Sequence, residues 1–161
     1  MVERPTVFDE STRFVEVETL IDLPAWAGLA QLSDFLHEKM KPYEDTRQDV
    51  ERGLRYALDP NRPGDGFAIL ASQAGRLAGA VVFVTTQMKG YIPENILLFI
   101  CVDPDLRGQG LGGRLIRRGL GRCTGQIKLH VEPDNPAKRL YERLGFEHKY
   151  DELRHAGGGA R

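Results

Sequence analysis

The stretch DPDLRGQGLGGRLIRRGL (residues 103–120) places Gly108, Gly110, Gly112 and Gly113 in front of what otherwise reads as a basic amphipathic helix. A glycine inside a helix costs up to about 1 kcal/mol against alanine, so these four need a purpose other than helix formation. Just before them runs ILLFICV (Ile96–Val102), too apolar to have a wet face, which reads as a central strand covered on both sides. A strand that enters a glycine-rich turn and then a helix aims several main-chain N–H groups at one place. The helix start carries unpaired donors and partial positive charge, and glycines allow positive φ and close approach of an anion. Together with Arg107 and Arg114, the turn reads as a pyrophosphate cradle. Tight packing of strand on helix is the other use of such glycines, and spacing alone leaves both open.

Working outward, TRFVEVETL (12–20) alternates as a first strand, and LPAWAGLAQLSDFLHEKM (23–40) carries apolar residues at helical spacing after Pro24. A second helix is predicted over Asp45–Leu58, ended by the turn residues of DPNRPGDG (59–66). FAILAS (67–72) and LAGAVVFVTT (77–86), separated by QAGR, predict an antiparallel hairpin about Ala74-Gly75. MKGYIPEN (88–95) reads as a loop. After the glycine helix (110–122) come a strand, QIKLHVE (126–132), and a helix in NPAKRLYERLG, with Asn135 as N-cap, Pro136 at N1 and Gly145 as its stop. FEHKYDEL (146–153) is a predicted last strand. The order β-α-α-β-β-β-α-β-α-β describes one α/β (α+β) domain over residues 1–155, a mixed sheet of about six strands with four helices, followed by a disordered tail at 156–161.

Among phosphate-binding turns, a P-loop requires Lys-Ser/Thr after the glycines, where this chain has Gly113-Arg114. A dinucleotide fingerprint is nearly offered by Gly108, Gly110 and Gly113, but three strands joined without helices precede it, which is not a doubly wound start. RGQGLG, within LFICVDPDLRGQGLG (98–112), resembles the R/Q-x-x-G-x-G/A signature of the GNAT N-acetyltransferases. LHVEPDNPAKRLYERLGF (129–146) is similar to the family's second hallmark: strand, Asn, Ala, a helix with Tyr, then Gly-Phe. The resemblance covers Ile96–Phe146, about a third of the chain, and is supported upstream by element order.

The resemblance implies a GNAT-like sheet and transfer of an acetyl group from acetyl-coenzyme A to a primary amine, by direct attack in a ternary complex. Such a transfer needs a positioned donor, a neutral amine, a stabilised oxyanion and a proton for the departing thiolate. The pyrophosphate would lie on Arg107, Gly108, Gln109, Gly110, Leu111, Gly112, Gly113 and Arg114. The fourth strand would bend away from the fifth, so that main-chain groups of Ile100, Cys101 and Val102 pair with the pantetheine arm. Cys101 reads as packing and not as nucleophile, because a thiol in an apolar strand keeps a high pKa. Tyr141 would be the acid, with a core aromatic as the competing reading, and Asn135 would both cap its helix and meet the cofactor arm. Glu94 is the candidate base, against a solvated loop residue; His130 is a weaker candidate, and ordered water can serve instead. Of Arg114, Arg117, Arg118 and Arg122, one or two would meet the 3′-phosphate and the rest are surface.

The acceptor side would be formed by FLHEKMKPYEDTRQD (35–49) and QMKGYIPEN (87–95), whose mixture of Glu38, Glu44 and Asp45 with Lys39, Lys41 and Arg47 leaves a small-molecule amine and a protein or peptide amine both open. Only about ten ordered-looking residues follow Gly145, so the family's seventh strand would be short, missing or supplied by a partner chain in a homodimer. A non-catalytic acyl-CoA sensor or interaction module is the rival from another class.

Composition bounds the rest. Of 161 residues, 41% are hydrophobic and 28% charged, with formal net charge −1, which offers no global attraction to nucleic acid or anionic membrane. The polar, mixed-charge start MVERPTVFDESTR has no apolar signal-peptide core, and the longest apolar run is too short to span a bilayer. Cys101 and Cys123 have no metal-ligand spacing and read as free thiols of a cytoplasmic protein.

Overall fold

The computed structural model describes residues 11–40 and 45–158. Five strands form one sheet in the order β1 (Arg13–Val17), β2 (Gly66–Gln73), β3 (Arg76–Thr85), β4 (Asn95–Val102), β5 (Ile127–Lys128). The first four are antiparallel neighbours, while β4 and β5 are parallel. Helices α1 (Leu29–Lys39) and α2 (Arg47–Ala57) cover one face; α3 (Leu111–Arg122) and α4 (Lys138–Arg143) cover the other.

Both faces of the sheet are apolar, as ILLFICV predicts. Leu32, Leu36, Val50 and Leu54 pack against Ala68, Leu70, Val82 and Phe99 on the first face. Leu111, Leu115 and Ile116 of α3 pack against Ile69, Val81, Phe83 and Leu97 on the second. The β2–β3 hairpin turns at Ala74 and Gly75, both at positive φ, where it was predicted. The second helix also falls where predicted, with the Thr46 hydroxyl accepting from Asp49 N–H at 3.1 Å as its N-cap.

Three expectations need correction. The first helix does not run from Pro24: Ala25–Ala27 form a separate 3-10 turn, and α1 starts after Gly28, whose N–H donates to Gln31 Oε1 at 2.9 Å. Among the described residues the sheet has five strands where about six were expected. Pairing of β5 is confined to Asn95↔Ile127 and Ile96↔Lys128, so beyond Lys128 it offers no ladder edge on which FEHKYDEL can assemble. Residues 146–158 have no helix or strand, and Glu152 lies with a carboxylate oxygen 3.5 Å from His130 Nε2, just beyond β5. The helix after Asn135 is shorter than expected, and its N-cap is Ala137. Asn135 instead closes an Asx turn, its Oδ1 accepting from Ala137 N–H at 2.9 Å.

Helix α3 lies close to the sheet because of Gly119, where an added Cβ would overlap the Phe83 ring. Gly119→Val should therefore lower stability by about 1–3 kcal/mol through overpacking. Gly121→Ala, on the same helix but with open space at the Cβ position, should leave stability unchanged or raise it. Urea denaturation midpoints of the two variants check the difference.

Candidate active site

The main chain of β4 is the first part of the site. Leu97 pairs with Phe83 and Phe99 with Val82, so Leu98 is an extra residue and β4 carries a bulge. Accordingly Leu98 and Phe99 both pack on the α1/α2 face, whereas Ile100 and Val102 point to the α3/α4 face. Asp103 N–H donates to Ala78 O at 2.8 Å, toward β3. By strand alternation the main-chain groups of Cys101 also face β3, and those of Ile100 and Val102 face the side where β5 has departed. Val102 O is accordingly met there by Arg107 Nε at 3.2 Å. That leaves the Ile100 N–H and C=O and the Val102 N–H along the opening.

The turn is the second part. Gly108 and Gly110 have φ of 80° and 81°, in the left-handed region that favours glycine, and Gly110 is the N-cap of α3. Arg107 N–H donates to Pro104 O and Arg114 N–H to Gly110 O, but the N–H groups from Gly108 to Gly113 find no main-chain acceptor among the described residues. A Cβ at Gly108 or Gly110 would meet nothing within 4 Å, so an anion has room above this row of donors. The geometry fits a diphosphate.

Helix α4 supplies the third part. A Cβ at Gly112 would stand 3.4 Å from Leu140 and 3.6 Å from Val102, ordinary contact distances, which places α4 against the first turn of α3 and the end of β4. Tyr141, next along, is buried, with its ring edge-on to Phe146 at 6.1 Å between centroids. Burial raises its pKa to about 12, with a smaller push from the nearby Cys101 thiol, so the phenol stays protonated throughout the neutral range. Burial likewise raises Cys101 to about 11, outweighing the opposing Arg107 charge, and leaves it a poor nucleophile.

Thus the fold brings together the end of β4, the glycine turn and Tyr141, with Asn135 in the turn that leads into α4. Glu94 is elsewhere. It precedes β4, on the order of 20 Å along the strand from Cys101 at about 3.3 Å per residue. Its carboxylate accepts from Gln126 N–H at 2.8 Å and Gly90 N–H at 3.3 Å. The Gln126 bond, followed by other main-chain donors, holds its pKa below the ordinary carboxylate value. This is a clamp between the 86–94 loop and the start of β5, and it disfavours proton uptake. Sequence reasoning missed its companion Asn95, buried, with Nδ2 donating to Thr124 O at 2.8 Å; a polar residue heading an apolar run was the available signal.

The arginines of α3 divide: Arg117 is exposed, with its guanidinium beside Gly113 of the turn, and the other three meet side chains of β1 and its flank. Arg114 and Arg118 lie over the Phe14 ring at 4.8 and 4.1 Å, and Arg122 bonds Glu16 at 2.9 Å and Glu18 at 2.8 Å. His130 is exposed, with Nε2 3.5 Å from a Glu152 carboxylate oxygen. Of the expected acceptor side, Lys41 and Glu44 lie outside the described residues; Arg47 bonds Asp34 at 2.9 Å, while Glu38 and Lys39 line an open hollow of about 640 Å³ with Trp26, Asp34, Phe35 and Asp103. The hollow is bounded by the β2–β3 hairpin and not by the 87–95 loop. Among the described residues no His/Cys/Asp/Glu group could hold a metal ion, and no helix is long and apolar enough to cross a membrane.

The profile of the acetyltransferase (GNAT) family matches residues 29–146. The chain is 35% identical over 103 residues to a mycothiol acetyltransferase of Saccharomonospora viridis, covering 58% of this chain and 34% of that protein. It is 31% identical over 114 residues to an acetyltransferase of Sodalis glossinidius, covering 67% and 71%. This chain spans about a third of the length of the mycothiol acetyltransferases it matches. Among solved structures, a GCN5-related N-acetyltransferase from Ralstonia eutropha has the same fold, with TM-score 0.68 at 14% identity, covering 91% of this chain and 99% of that one.

The clamp reading of Glu94 has a definite pH signature. A carboxylate whose folded pKa is lowered contributes stability above its unfolded value, about 4.3, and loses it as pH falls through the folded value. Glu94→Gln should be less stable than the parent at pH 7, and the gap should close below about pH 4. Urea midpoints measured from pH 7 to pH 3 check this.

Proposed function

The chain belongs to the acetyltransferase (GNAT) family, and from that premise we propose that it transfers the acetyl group of acetyl-coenzyme A to a primary amine by direct attack. The observation that carries this reading is the row of N–H groups from Gly108 to Gly113 with open space above Gly108 and Gly110, beside an opened β4 edge. Acetyl-coenzyme A supplies an activated thioester when bound. Main-chain donors of the turn hold its diphosphate, and the Ile100 and Val102 main chain orients the arm that carries the thioester.

Tyr141 is the proton donor to the departing sulfur. Its buried, protonated phenol suits a donor near neutral pH, and its place on α4 beside the end of β4 supports the assignment. The clamp at Glu94 supports leaving that residue out of the chemistry, with the amine losing its proton to water. The amine must be neutral to attack. Two relatives carry the name mycothiol acetyltransferase, which favours a small-molecule acceptor over a protein amine.

Calorimetric titration with coenzyme A tests the cradle, and thiol release with an amine panel tests turnover. Coenzyme A binding without thiol release from any amine would favour the acyl-CoA sensor reading. Gly110→Val forces a branched side chain to positive φ and should weaken coenzyme A binding at least tenfold. Tyr141→Phe should lower kcat by about 10²-fold while changing the coenzyme A Kd little. The rate should climb through the alkaline range as the amine loses its proton. No falling limb should appear below about pH 10, because Tyr141 remains protonated there.

A further inference from the structure

An arginine at the mouth of a diphosphate cradle invites reading as a phosphate ligand, but the side chain of Arg107 is turned elsewhere. Its Nε donates to Val102 O at 3.2 Å and its Nη2 to Lys39 O at 2.7 Å. Lys39 ends α1, where the last carbonyls of a helix have no partner within it and carry partial negative charge. Val102 O lies on the opened edge of β4. One planar fork therefore joins two main-chain acceptors, one at the end of α1 and one on the strand that leads into the turn. A point-charge donor such as lysine does not reproduce that geometry.

The far end of this joint is itself fixed. His37 Nδ1 lies 3.1 Å from Asp45 O, and Arg47 Nε donates to Asp34 at 2.9 Å, so α1 and α2 are stitched together on both sides of residues 41–44. Arg107 is the link from that pair to the cradle.

We propose that Arg107 is a positioning residue that transmits occupancy of the glycine turn to the end of α1, so that seating the donor also sets the wall along which the acceptor amine approaches. This rests on the preceding reading that the turn holds the diphosphate of coenzyme A. The Arg107 main chain belongs to the turn, and its guanidinium belongs to the α1 contact. Fixing the first restricts the second, and the coupling is reciprocal.

The test combines calorimetry with amide hydrogen exchange across Leu36–Met40, using coenzyme A as probe on the full chain. In the parent protein, saturating coenzyme A should slow exchange there at least threefold. Arg107→Ala and Arg107→Lys should each abolish that slowing while raising the coenzyme A Kd less than threefold. A phosphate-binding arginine would behave differently: Arg107→Ala would weaken binding tenfold or more, and Arg107→Lys would restore it. That pattern, or slowing that survives in both variants, overturns the proposal, as does parent protein that binds coenzyme A with no change at Leu36–Met40. If the parent protein gives no binding heat at all, the cradle reading itself fails. Should Arg107→Ala not fold, Arg107→Lys decides alone: lost slowing at near-parental affinity supports the coupling, and retained slowing refutes it.

Discussion

The site depends on a ladder that stops. β4 and β5 share two residue pairs, Asn95↔Ile127 and Ile96↔Lys128, and then separate. Buried main-chain groups rarely go unpartnered, so a parting of parallel strands inside a sheet leaves donors and acceptors that call for a ligand or a side chain. Here Arg107 takes one of them, Val102 O. The bulge at Leu98 is equally necessary, because it reverses the alternation and turns Ile100 and Val102 toward the gap instead of toward β3. Two local irregularities thus convert a central strand, otherwise fully paired, into one wall of a cleft. Asn95 and Glu94 fasten the closed end of that cleft through Thr124 O and Gln126 N–H.

Features carried by contiguous residues were legible in the sequence. The apolar run 96–102, the positive-φ glycines at 108 and 110 and the Ala74-Gly75 hairpin each declare themselves within a few positions, because one residue type meets one local steric demand. Features set by distant partners were not. Nothing near Glu94 shows that its carboxylate will be taken by an amide 32 positions later. FEHKYDEL alternates like a strand, yet a strand also needs an edge, and β5 ends too soon to provide one. The glycines divide in the same way. Gly108 and Gly110 serve backbone conformation, whereas Gly119 makes room for the Phe83 ring, a role visible only once α3 lies on the sheet.

The same division explains the arginines. A row at 114, 118 and 122 offers charge for a phosphate, but in the fold its members rest on Phe14 or pair with Glu16 of β1 and Glu18 just after it. Individually such exposed contacts contribute little, roughly 0–1 kcal/mol each. Their place matters more than their strength, because they moor the edge strand to α3.

That mooring makes the two ends of α3 chemically unequal. The tail of the helix is bolted at Arg122 to two carboxylates and laid over Phe67, while its head begins at a left-handed glycine. The two ends therefore divide the labour: at the tail charged side chains are spent on holding the edge strand, and at the head, seated in the core by Leu111, main-chain N–H groups are left to meet an anion.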